Sequence, residues 1–184
     1  MNILASSSVF RFRWINGQCF EFQLPNGKYL ITDPWYQCEG SMGRTCPEDF
    51  STDDLEGCDY LFINHCHGDH IANLQDVYDR FHPVVITHSA ACMEIAKTFQ
   101  IPLTSIYPVD FDGIYYFDGF MMETYHGVHH ALSWDYEETK ATFENLPVSP
   151  ELNVLGGMFN MNFVLTTEQG FRIAFIGGND DGML

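Results

Sequence analysis

Six consecutive residues, His65-Cys66-His67-Gly68-Asp69-His70, constrain this chain more than any other stretch. They place three imidazoles and a carboxylate directly behind the apolar run Tyr60-Leu61-Phe62-Ile63. Such a run reads as a short buried strand, so the block lies in the loop that leaves it. Imidazole and carboxylate are the donors that zinc and similar divalent metals take. His65 and His67, two residues apart, point the same way in extended chain. Gly68 permits a sharp bend, and Asp69 and His70 then open a helix, where the dipole favours a carboxylate. One loop thereby aims two ligand pairs at two neighbouring metal positions. Cys66, between two ligands, is expected to face away as a small buried residue.

Two ligand pairs are not enough, because a zinc site needs at least three protein ligands. A second cluster, His126, His129 and His130, follows an apolar stretch at 120–125. One of the three is expected to be a ligand, with the others behind it or facing substrate. Asp180, in Gly177-Gly178-Asn179-Asp180-Asp181, follows another strand-like stretch at 171–176. Its carboxylate can bridge two metals, with Asp181 as the alternative. Plain turn chemistry competes with that role.

The remaining sequence supplies a scaffold. Stretches 9–15 and 18–24 alternate as strands across the hairpin turn Asn16-Gly17. Pro25-Asn26-Gly27 turns the chain into a third strand at 28–32, and Asp33-Pro34 ends it. Residues 35–50 read as an irregular loop. Ser51, with Asp54 three residues on, is a capping box for a short helix. Apolar residues at 71, 74, 77, 78 and 81 have helical spacing, so a helix is predicted over 71–81. A buried strand at 84–87 precedes a helix at 90–99 that Ser89 would cap. Further strands are predicted at 106–109, 113–117, 120–125, 158–167 and 171–176, the last two as a hairpin across Glu168-Gln169-Gly170. Residues 131–157, with Trp134 and Tyr136, read as the least regular part, helical at most near 137–146. They suit a lid, an interaction surface or a solvated insertion. Strands, then alternating strands and helices, then strands again imply a layered mixed α/β domain over 1–184.

Composition narrows the function. Eight basic against 25 acidic residues give a formal charge of −17, which repels polyanions and argues against nucleic acid. No run is long and apolar enough for a bilayer span. The first fourteen residues lack the apolar centre of a signal peptide, and Arg11 and Arg13 interrupt them. A cytoplasmic protein is expected, with its six cysteines reduced.

These motifs together resemble the metallo-β-lactamase superfamily, and its lactonase-like branch of metal-dependent hydrolases in particular. Trp14 to Phe20 and Leu30 to Trp35 are similar to that branch's opening hairpin. Cys58 to Asn64 followed by the His65–His70 block is similar to the superfamily core. Met122 to His129 resembles the strand that carries the third histidine of the first metal site, and Arg172 to Ile176 the strand before a bridging aspartate. The resemblance implies an αββα sandwich with two metals at one edge. His65, His67 and His129 would hold the first metal, Asp69 and His70 the second, and Asp180 would bridge them. Asp33 would orient a ligand. The family's usual Gly before the bridging Asp is here Asn179. The family also continues through more strands, a helix and a last metal-binding His, so the sandwich is expected to be incomplete at the C-terminus. A homo-oligomer could then cover the exposed edge.

The implied activity is hydrolysis of a small ester, lactone or phosphoester by metal-bound hydroxide. Zn2+ is expected at one or two positions, with Mn2+ or Fe2+ as substitutes. His67 stands where the related diiron flavoproteins usually carry Glu, which favours hydrolysis over oxygen chemistry. Asp69 would orient the nucleophile or take its proton, and His126 would donate to the leaving group, with His130 and His88 as alternatives. The rival expectation is a non-catalytic or single-metal domain completed by a partner chain.

Overall fold

Apolar residues at alternate positions build two sheets that share a core. A computed structural model of the chain describes residues 10–37, 46–129 and 149–176. The first sheet has the order β1 (Arg11–Asn16), β2 (Cys19–Gln23), β3 (Tyr29–Thr32), β4 (Tyr60–Phe62), β5 (Val84–His88), β6 (Ile106–Val109). β1 to β3 form the antiparallel meander expected from the Asn16-Gly17 and Asn26-Gly27 turns. β3 to β6 run parallel, so β3, β4 and β5 end at the same edge. The second sheet, order β10 (Arg172–Phe175), β9 (Asn160–Thr167), β8 (Phe120–Gly127), β7 (Ile114–Phe117), is antiparallel throughout.

The two sheets face each other across Phe22, Leu30, Phe62, Ile86, Phe163 and Phe175, all buried. Phe62 of β4 meets Phe163 of β9 at a ring-centroid distance of 4.0 Å. The other face of the first sheet packs Ile31, Leu61 and Val85 against helices through Ile71, Leu74, Val77, Ile95 and Leu152. Those helices are α1 (Gly68–Ile71), α2 (Leu74–Phe81), α3 (Cys92–Thr98) and α4 (Pro150–Met158). Three of the four expected layers are therefore present. The outer face of the second sheet exposes Ile114, Tyr116 and Tyr125 and carries no helix among the described residues.

Several local expectations are corrected. The helix predicted over 71–81 is two helices, broken at Asn73. Its N–H donates to Pro34 O at 2.9 Å instead of into a continuing helix. Its Oδ1 accepts from Tyr36 N–H and Gln37 N–H, at 2.9 and 3.1 Å. Periodicity cannot show that a side chain is engaged by a distant loop. The cap after β5 is His88, whose Nδ1 accepts Ala90 N–H at 3.2 Å, rather than Ser89. A 3-10 turn, Ser89–Ala91, precedes α3 there. The Ser51–Asp54 capping box is present as read. α4 occupies the end of the stretch read as irregular and takes Met158 from the predicted strand, so β9 starts at Asn160, two residues later than expected. Cys46 is in a disulfide, which corrects its reading as reduced, while Cys19, Cys58, Cys66 and Cys92 are free thiols. The predicted helix at 137–146, Cys38, Trp134, Tyr136, His130, Asp180 and Asp181 lie outside the described residues. No helix among the described residues is long and apolar enough to cross a membrane.

Candidate metal centre

The parallel strands deliver their C-terminal loops to one edge, the usual place for a ligand in an open α/β sheet. β3 runs into Asp33, β4 into Asn64 and the histidine block, and β5 ends at His88. Asn64 locks this edge to the second sheet. Met161 N–H donates to Asn64 O at 3.1 Å, and Asn64 Nδ2 donates back to Met161 O. Met161 pairs with His126 in the β8–β9 ladder. The end of β8, and with it His129, is thereby brought over the loop after β4.

His65, His67 and His129 converge. Their ring centroids lie 4.8 Å (65–67), 4.9 Å (65–129) and 4.5 Å (67–129) apart. One donor atom from each falls within 4.8 Å of the others. A second group, His65, Asp69 and His70, meets the same limit, with His65 and His70 rings 3.8 Å apart. His65 is common to both. The structure thus brings together five of the sequence-predicted ligands: His65, His67, Asp69, His70 and His129.

Hydrogen bonds fix which nitrogen each ring offers. Asn64 turns its amide NH2 to Met161, so its Oδ1 is the acceptor facing His65 Nδ1 at 2.7 Å. His65 Nδ1 therefore carries the hydrogen, and Nε2 keeps its lone pair. That Nε2 is buried and has no hydrogen-bond partner. His67 Nε2 lies 3.0 Å from Asn153 O in α4. A carbonyl only accepts, so His67 offers Nδ1. His70 Nδ1 stands 3.1 Å from Asp33 Oδ2, leaving Nε2 on the side of Asp69, whose Oδ1 is 4.0 Å away. Asp33 also accepts Asn64 N–H at 2.7 Å through Oδ1. Asp33 adopts φ 39° to reach both, a left-handed conformation that costs a non-glycine residue on the order of 1 kcal/mol or more.

Burial keeps His65 and His67 neutral. It pushes His65 well below the ordinary imidazole range, helped by the neighbouring His70 and His67. It takes His67 down to about 4, with His129 contributing. Neutral imidazole is the form that binds metal. Burial raises the Asp33 carboxyl, against the pull of His70 and the Asn64 N–H. Cys66 turns its thiol to Thr87, and burial pushes it up to about 12, so it faces away from the cluster as expected.

His126 and His88 stand apart from both groups. His126 is exposed and packs edge-on against Phe111 at 4.7 Å. His88 is buried, stacked on Phe159 at 4.4 Å and tilted against Phe111 at 4.6 Å. Its Nε2 lies 3.7 Å from Asp110 Oδ1. Sequence reasoning missed Asn64 and Asn153. Asn64 had a signal, a polar residue closing a buried strand. Asn153 acts through its backbone carbonyl and had none.

No protein-family model matches the chain. Over 90 residues it is 28% identical to a UPF0173 metal-dependent hydrolase of Solibacter usitatus, covering 46% of this chain and 36% of that protein. Over 71 residues it is 32% identical to a UPF0173 metal-dependent hydrolase of Thermodesulfovibrio yellowstonii, covering 38% of this chain and 25% of the relative. Among solved structures, Igni18, a metallo hydrolase from Ignicoccus hospitalis, superposes with a TM-score of 0.62 at 12% identity, over 92% of this chain and 61% of its own. An isothiocyanate hydrolase from Delia radicum gut bacteria gives 0.59 at 17% identity, over 91% and 62%. The aligned region thus spans about a third or less of the curated relatives and about 60% of the solved chains. The chain has the α/β fold of these metallo hydrolases. In sequence it is similar to UPF0173 metal-dependent hydrolases, and in fold to solved metallo hydrolases.

Proposed function

We propose that this chain carries the metal centre of a hydrolase acting on a small ester, lactone or phosphoester. One observation supports it above the rest: His65 Nε2 is buried without a partner where His67, Asp69, His70 and His129 converge. An orphaned buried nitrogen is costly unless something binds it. A divalent cation fits the donors present, three imidazoles beside an imidazole–carboxylate pair. His65 Nε2, His67 Nδ1 and a His129 ring nitrogen would hold one cation, zinc by preference. Asp69 and His70 Nε2 would hold a second beside His65. When bound, the metal supplies a water nucleophile at neutral pH and polarises the substrate oxygen.

The chain's own residues do the rest. Asp69 accepts the proton of the attacking water at a carboxylate oxygen. His126, exposed three residues ahead of His129, donates a proton to the leaving group. Asp33 and Asn64 hold His70 and His65 in register. With a charge of −17, the chain suits a small substrate rather than a nucleic acid. The lactonase-like branch is the preferred reading of the resemblance.

Elemental analysis of protein purified without added metal, followed by assay on an aryl ester, a lactone and a phosphodiester with and without chelator, tests this. Two equivalents of zinc with chelator-sensitive turnover support it. One equivalent without turnover supports a metal-binding domain that needs a partner chain, and no bound metal overturns the centre itself.

A further inference from the structure

We infer that helix α4 is a positioning clamp for His67, with the Asn153 carbonyl as its anchor and Gly156 as its point of contact. The inference rests on the metal-site reading above. Its first part is the hydrogen bond. A neutral imidazole has two tautomers, and the one with hydrogen on Nδ1 could not point a lone pair at the other histidines while facing a carbonyl. With Asn153 O 3.0 Å from Nε2, the hydrogen is drawn to Nε2 and Nδ1 is left towards the cluster.

The second part is steric. A methyl group on Gly156 would stand 2.5 Å from His67 Cδ2, 2.8 Å from His67 N and 2.9 Å from the Cys66 carbonyl carbon. Two of those three atoms are backbone, so a side chain here displaces the loop rather than a flexible tip. Glycine is a poor helix former, and α4 has two adjacent glycines among nine residues. Gly156 has a reason to be one, since the helix backbone lies directly on the histidine ring. Gly157 does not share it, because a methyl group there would meet His67 Nε2 at an ordinary 3.8 Å.

The clamp is itself held. Ser149 caps α4 by accepting Leu152 N–H at 3.1 Å, and Pro150 occupies its first turn. Ser149 Oγ also donates to Glu94 Oε1 in α3 at 3.2 Å. Leu152 is fully buried in the helix-side core. α4 is thus fastened to the same helical layer as the histidine loop.

Two measurements test the clamp. Long-range 15N–1H correlation spectra of the zinc-free, unaltered protein, with His67→Gln for assignment, read the tautomer directly. The expected result is hydrogen on Nε2 of His67; hydrogen on Nδ1 overturns the proposal. Chelator competition then compares zinc affinity in Gly156→Ala and Gly157→Ala, matched changes one residue apart in the same helix. Gly156→Ala is expected to weaken zinc binding roughly 10- to 100-fold, with Gly157→Ala close to the unaltered protein. Equal affinity in the two variants overturns the proposal. Failure of the unaltered protein to bind zinc would sink the metal-site reading instead, and the tautomer spectrum would still decide the clamp. That spectrum requires no altered helix to fold.

Discussion

Asp33 holds His70 from the end of a different strand, its Oδ2 3.1 Å from the ring Nδ1 while its Oδ1 accepts the Asn64 N–H at 2.7 Å. One carboxylate therefore orients a ring of the His65/Asp69/His70 group and the backbone that leads into His65. Asp33→Asn is expected to lower zinc affinity at that group by roughly 10- to 100-fold. Asp33→Ala should in addition cost about 1–3 kcal/mol of stability, because the buried Asn64 N–H loses its acceptor. Calorimetric zinc titration and urea unfolding report the two effects separately. Affinity unchanged in both variants would refute the orienting role.

His65 belongs to both donor groups and His129 to one. His65→Ala is expected to remove all tight zinc binding, whereas His129→Ala should retain about one equivalent at His65, Asp69 and His70. Elemental analysis after desalting checks this. Equal loss in the two variants would mean that the groups do not load independently.

Acid should weaken the zinc-free protein in a defined window. The folded state keeps His67 neutral down to about 4, while the unfolded chain protonates it near 6.5. Stability is therefore whole above about pH 6.5 and falls as pH drops towards 4, by on the order of 3 kcal/mol for this residue. Urea midpoints should be level between about pH 7.5 and 6.5 and fall from there to about 4.5, and His67→Gln should lessen the slope. A level profile in the unaltered protein would contradict the burial that holds the ring neutral.

Phe62 is fully buried at the end of β4 and packs on Phe163. Phe62→Ala is expected to cost about 3–5 kcal/mol through the cavity it leaves. Thermal or urea unfolding measures it, and a loss under about 1 kcal/mol would mean that the two sheets close over the gap.

Much of the scaffold was legible because its signals are local. Asn16-Gly17 and Asn26-Gly27 dictate tight turns, and Ser51 with Asp54 caps within one turn, so those elements appear where they were read. The histidine block was legible for the same reason, since four ligand-type side chains fall within six residues. The partnership with His129 was not local and came from the resemblance; spacing alone left it level with His126 and His130. The break at Asn73, the cap at His88 and the disulfide at Cys46 escaped because each depends on a contact rather than on a run of residues. α4 escaped for a related reason. Most of it falls in the stretch read as irregular, while burial of Leu152 and contact with His67 favour a helix there.

The paired bonds between Asn64 and Met161 form a seam between the two sheets, and His65 and His129 stand on opposite sides of it. An ion gripped by both would act as a rivet across that seam. Loosening the sandwich anywhere along it changes the bite of the ligands, even where no histidine is touched. Damage deep in the aromatic interior would then surface earliest as poorer ion capture, and only afterwards as collapse of the molecule.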